Sequence, residues 1–224
     1  MPVCHATVSA MRSAAAIPSS RKQGGRWMKQ LRLITVCVTS VFVVWIGILM
    51  ANLAYIHLTG NIHTVEAGRL YRSGTLSAGR LERLVETAGI RTILNLRGDE
   101  GRPWYEAERA VARRHGLDFL SFHLSAKHAP DMNTVEELLF VLKTAPKPIL
   151  VHCRSGSDRA GLVSALYERF VAGKSVSEAE RQLSFLYGHF PWLGSRTVAM
   201  DEAFAQITAP PKIREEESVQ VAAD

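Results

Sequence analysis

The chain has 224 residues, 47% hydrophobic and 21% charged, with a formal charge of +6, enough for one domain with a sizeable core plus an appendage. The excess charge is local: Arg12, Arg21, Lys22, Arg26, Lys29 and Arg32 all precede the first acid, Glu66, and the remaining 21 basic residues balance the 21 acidic ones. A basic nucleic-acid footprint on the main domain is thereby excluded.

In chain order, a basic arm (1–32) comes first, within which Met28 opens "MKQLRLITV" and is a candidate natural start. The stretch "LITVCVTSVFVVWIGILMANLAY" (33–55) follows, and no Asp, Glu, Lys or Arg stands between Arg32 and Glu66. Its length suits a helix crossing a bilayer. The absence of a polar face at helical spacing disfavours a buried core helix. It is long for a signal peptide, and no clean A-x-A site follows it. The expectation is an uncleaved signal-anchor. Basic residues stand before the span and none immediately after it, so the positive-inside rule puts the N-terminus in the cytoplasm and the rest outside, as a single-pass membrane protein.

A tether (56–68) leads to the main domain (69–208), which opens on the extended segment "RLYRSG". "LSAGRLERLVETAG" carries Leu81, Leu84 and Val85 at helical spacing and ends on a glycine. "IRTILNL" reads as a strand and "RGDEGR" as a turn, whose Arg97 and Asp99 are expected at the mouth of a site. Pro103 starts a helix that Gly116 ends. After the strand "LDFLSFHL" and the loop "SAKHAPD", Asp131 is placed to cap the helix "MNTVEELLFVLKTA". Lys127 in that loop is expected to carry a solvated charge. The buried strand "KPILVH" precedes "HCRSGSDRAG". Three helices are then expected, at 160–172, 175–187 and 195–207. "FLYGHFPWLG" is expected to pack as core, and a disordered polar tail fills 209–224. Strands alternating with helices imply a three-layer α/β domain with a mainly parallel sheet.

Of the three cysteines, Cys4 lies in the arm and Cys37 in the span, so the main domain holds only Cys153, with no local disulfide partner. Its neighbours supply a reason for the thiol. A loop between a strand and a helix start aims several N–H groups at one spot beside the positive end of the helix dipole, a site for a phosphate dianion. Gly156 permits the tight curvature, Arg159 can grip two phosphate oxygens with its planar fork, and Cys153 at the base of the bowl is favoured as a thiolate placed for in-line attack.

His-Cys-x5-Arg in this setting resembles the signature of the cysteine-dependent protein tyrosine and dual-specificity phosphatases, and "HCRSGSDRAG" is similar to the bacterial "HCxAGxDRTG" subgroup. "LYRSGTLS", "IRTILNLRGDE" and "LSAKHAPD" extend the resemblance over about residues 70–190. It implies the three-layer cysteine-phosphatase fold, a phosphorylated substrate (phosphoprotein, phosphoinositide or lipid phosphate), and no metal or cofactor. It makes Cys153 the nucleophile and Arg159 the phosphate clamp. The backbone of Arg154, Ser155, Gly156, Ser157 and Asp158 becomes the cradle, with His152 bracing Cys153. Two residues are candidates for the general acid: Asp158, whose other role is to hold the loop, and Asp131, whose other role is the helix cap. The residue after the arginine is commonly Ser or Thr in the family, helping the thiolate leave, but here it is Ala160. That departure leaves a poorly active phosphate-binding module as an alternative. A rhodanese-like sulfurtransferase is disfavoured, because its usual loop is one residue shorter.

Overall fold

The computed structural model describes residues 21–192 and 194–210. The expected tail and most of the basic arm lie outside the described residues. The chain divides into two compact units, 1–49 and 50–224.

Helix α1 (Arg21–Thr59) is longer at both ends than the span read from hydropathy. Within the first unit its apolar side chains are largely exposed: Val41, Phe42 and Val44 are each at least 60% exposed.

The second unit is a five-stranded sheet in the order β1-β2-β5-β3-β4, built from β1 (His63–Glu66), β2 (Leu70–Ser73), β3 (Thr92–Asn95), β4 (Asp118–Ser121) and β5 (Ile149–His152). β1 pairs antiparallel with β2, and the other pairings are parallel. The central strands β3 and β5 are buried at every position, as strands covered on both faces must be. One face carries α2 (Ala78–Ala88) and α3 (Pro103–His115), whose Leu81, Val85, Val111 and Ala112 pack with Ile93 and Leu150. On the other face α4 (Met132–Thr144) and α5 (Asp158–Phe170) place Leu138, Leu142 and Val163 against Leu94, Ile149 and Val151. α7 (Ala199–Thr208) covers α5 from outside through Met200, Ala203 and Phe204. These are the expected three layers.

Three local expectations fail. The tether holds strand β1, too short and too polar to show a period. The helix expected at 175–187 is broken into α6 (Val176–Ala179) and two 3-10 turns, Glu180–Gln182 and Phe185–Tyr187. The capping box between Ser175 and Glu178 starts it correctly, but Gln182 turns inward to partner a buried arginine. The aromatic segment is not core throughout, since Leu186 is 72% and Trp192 57% exposed.

Candidate active site

The loop 153–158 leaves β5 at the C-terminal edge of the parallel strands, the edge where α/β sheets bind ligands. Cys153 is 1% exposed at its base. Every carbonyl from Cys153 to Ser157 is held from outside the loop. Thr75 donates from Oγ1 to Cys153 O at 3.1 Å and from its backbone N–H to Arg154 O at 3.2 Å. Asn61 Nδ2 donates to Ser155 O at 2.9 Å. Arg72 Nη2 donates to Gly156 O at 2.7 Å and Ser157 O at 3.0 Å. In a planar trans peptide the N–H points opposite the C=O, so fixing five carbonyls outward turns the N–H groups of residues 154–158 inward. Among the described residues none of these five N–H groups has an acceptor. The result is an anion cradle assembled from backbone.

Gly156 has φ +77°, and a Cβ there would lie 2.6 Å from Gly74 N and Ser73 C. Only glycine lets the loop press this closely on the end of β2.

Arg72 projects from β2 beneath the loop and is wholly buried. Besides the two loop carbonyls, it donates through Nη1 to Gln182 O and Oε1, both at 2.8 Å, and stacks 4.2 Å from the Tyr187 ring. Burial lowers its pKa to about 10, opposed by the neighbouring Cys153, Tyr187 and Asp158. It therefore stays cationic at neutral pH, a fixed positive charge under the cradle.

Arg159 is half-buried; its Nη1 donates to Leu124 O at 3.2 Å and Leu96 O at 3.4 Å, and its Nε has no partner among the described residues. Arg97 donates from Nε to Asp99 Oδ2 at 3.0 Å and from Nη1 to Thr75 Oγ1 at 3.1 Å, joining the turn after β3 to the residue that holds Cys153. Lys127 is exposed, as expected.

The two acid candidates separate. Both carboxylate oxygens of Asp131 are taken by Thr134, Oδ1 by its N–H at 2.9 Å and Oδ2 by its hydroxyl at 2.8 Å. These cap bonds hold the carboxyl below its usual range. Asp158 instead lies in the loop itself, with Oδ1 bonded to His189 Nδ1 at 2.7 Å. His189, fully buried, is bonded through Nε2 to Asp201 Oδ2 at 2.9 Å.

The expected brace from His152 to Cys153 is absent. Side chains alternate along a strand, and that of His152 is buried beside Glu108 of α3, 3.3 Å away but unaligned for a hydrogen bond; neither ring nitrogen has a hydrogen-bond partner among the described residues. It reaches the cradle only through its backbone. The structure thus brings together Cys153, the 154–158 backbone and Arg159, ties Asp158 into a carboxylate–histidine cluster, and leaves Asp131 to its cap. Sequence reasoning missed Asn61, Arg72, Thr75, His189 and Asp201. The one signal on offer was a charged residue inside the short strand "LYRS".

Comparison with known proteins agrees with this geometry. Residues 47–201 match the family described as "DSP-PTPase phosphatase fused to NAD+ Kinase". The chain is 30% identical over 135 residues to the inositol diphosphatase DSP1 of Oryza sativa subsp. japonica, over 51% of this chain, and spans 59% of that relative's length. Its fold is that of P. aeruginosa TpbA, solved with pTyr (TM-score 0.52, 21% identity, 74% of this chain and 92% of that one). It is also that of the core catalytic domain of the PP-IP phosphatase SIW14 of S. cerevisiae, solved with citrate (TM-score 0.51, 22% identity, 73% and 94%). The sulfurtransferase alternative falls with these matches: the chain belongs to this DSP-PTPase phosphatase family.

Proposed function

We propose that the chain is a membrane-anchored phosphomonoesterase that works through a phosphocysteine at Cys153. The observation that carries the chemistry is the set of five outward-held loop carbonyls, which leaves five N–H donors free for the oxygens of a phosphate at Cys153. The Cys153 thiolate attacks phosphorus, an S–P bond forms, and the P–O bond to the leaving group breaks. Asp158 gives that oxygen its proton, since one of its carboxylate oxygens is uncommitted whereas both of Asp131's are bonded. Water then attacks the phosphocysteine, returns a proton to Asp158, and releases inorganic phosphate and the thiolate. Arg159 and the cradle bear the charge that builds on the equatorial oxygens.

Anchoring is supported by a 30-residue stretch within α1, Trp27–Ile56, whose most apolar part is not buried in protein, and by the basic residues up to Arg32 at its N-terminal side, with no Lys or Arg following until Arg69. The catalytic unit is then extracytoplasmic.

The test is release of phosphate from an aryl phosphate by the full chain, with trapping of a phosphorylated protein on acid quench. Both signals disappear in Cys153→Ser. Turnover that survives Cys153→Ser refutes the mechanism, and a C-terminal reporter active in the cytoplasm refutes the topology. A second reading, a phosphate-binding module that turns over poorly, is favoured by Ala160, fully buried and without a hydroxyl to help the thiolate leave. Phosphate binding with no turnover above Cys153→Ser selects it.

A further inference from the structure

The phosphate loop is tied to the exit of the apolar helix by a very short strap. Ile56 is the last residue of the apolar stretch. Four residues later Gly60 O accepts from Gly74 N at 2.8 Å, and one residue further Asn61 Nδ2 donates to Ser155 O of the loop. Asn61 is 1% exposed and donates also to Tyr187 O, so this is a built-in attachment. Five residues reach at most about 18 Å even when fully extended, and here the strap is helical as far as Thr59. A 30-residue helix is about 45 Å long, which is the hydrocarbon core plus both headgroup layers. Chain connectivity alone therefore holds the cradle within reach of the headgroups on the side where α1 ends.

The surface between these points suits that location. A cavity of about 340 Å³ beside the loop is lined by Ile56, Gly60 and Thr75 together with Arg154 and Ser155. Arg154 is exposed and has no acidic partner among the described residues. Large apolar side chains are exposed on the segments that supply its lining. Tyr55 and Leu58 on the last turns of α1 are 60% and 71% exposed. Leu186 and Trp192, 72% and 57% exposed, lie two and four residues along the chain from Gly188, which lines this cavity. Exposed aromatic and aliphatic residues continuous with an apolar helix end are what a bilayer interface takes up.

Resting on the anchored-phosphomonoesterase reading, we propose that the substrate is a phosphate monoester on the headgroup of a lipid in the bilayer that holds α1. Arg154 faces a second anionic group of that lipid, and Ile56 faces its apolar side. A soluble phosphoprotein would have to bring its phosphate within this distance of the bilayer surface.

The experiment uses the full chain reconstituted in phosphatidylcholine vesicles and measures inorganic phosphate. The probes are a phosphatidylinositol monophosphate in the same vesicles, its water-soluble glycerophosphoinositol phosphate counterpart, a phosphotyrosine peptide, and an aryl phosphate. The expected result is lipid hydrolysis at least about tenfold above both soluble phosphates. The Leu186→Asp, Trp192→Asp double variant is expected to lose about tenfold on the lipid and nothing on the aryl phosphate. Equal rates on the lipid and its soluble counterpart, a preference for the peptide, or a double variant unchanged on the lipid would each overturn the proposal. Loss of all turnover, aryl phosphate included, to the Cys153→Ser level overturns the phosphatase reading beneath it. A chain that does not float with vesicles overturns the anchor.

Discussion

His189 is bonded at 2.7 Å to Asp158, a residue of the phosphate loop itself, while its other ring nitrogen is bonded to Asp201 on α7. Burial alone would push the imidazole down, but the bonds to the two carboxylates outweigh it and raise its pKa above the ordinary value. The raised value means that folding favours the protonated ring. The stability it contributes is complete below about pH 6.5 and is lost as pH rises through the folded-state value. The Tm gap between the natural chain and His189→Gln is therefore expected to be widest near about pH 5 to 6 and to close toward about pH 9. A gap that does not vary with pH would remove the imidazolium from this cluster.

The two acid candidates divide by leaving group. Asp158→Asn is expected to lose about 10²-fold or more in kcat on an alkyl phosphate and far less on a nitrophenyl phosphate, whose leaving group needs no proton. Asp131→Asn is expected to keep the cap and kcat on both substrates, while Asp131→Ala lowers Tm by losing the cap and also keeps kcat. Equal losses on the two substrates for Asp158→Asn would assign Asp158 to holding the loop.

Arg72 holds two loop carbonyls with one nitrogen and Gln182 with the other. Arg72→Lys keeps the charge but not the fork, leaving at least one buried carbonyl unpaired at about 1–3 kcal/mol. The expected readout is a lower Tm together with inorganic phosphate binding weakened by about tenfold or more. Unchanged phosphate affinity in a folded Arg72→Lys protein would mean that the cradle does not depend on this residue.

Ala160 predicts an imbalance between the two chemical steps. Rapid-quench kinetics with a nitrophenyl phosphate should show a burst of nitrophenol approaching one equivalent, followed by slower steady turnover. Ala160→Ser, which adds only a hydroxyl at this buried position, should shrink the burst and raise the steady rate. A linear time course in the natural chain would show that hydrolysis keeps pace.

The sequence was legible where one residue type does a local job. Gly89 and Gly116 end helices in left-handed conformations, Asp131 caps α4, and Pro103 opens α3. The loop was legible because strand, Cys153, Gly156, Arg159 and helix follow one another directly. Its support was not, because the groups that hold it come from far along the chain. Asn61 reaches across 94 residues to Ser155, and Arg72 across 84 to Gly156. His189 lies 31 residues beyond Asp158. The break after Ala179 has the same origin: helical spacing ran on through 175–187, and a buried arginine's need for Gln182 prevailed over it. His152 was misplaced because adjacency in sequence to Cys153 sends the two side chains to opposite faces of a strand.

Asn61 also ties the stretch after α1 to the phosphate loop. A protease that cuts between Gly60 and Asn61 frees the domain but also severs the Gly60 carbonyl that accepts from Gly74 from the chain that carries the loop clamp. One cut a residue further on removes Asn61 and lets Ser155 O go. A cut on either side of Asn61 is thus expected to loosen the loop, and phosphate binding by the cut protein measures it.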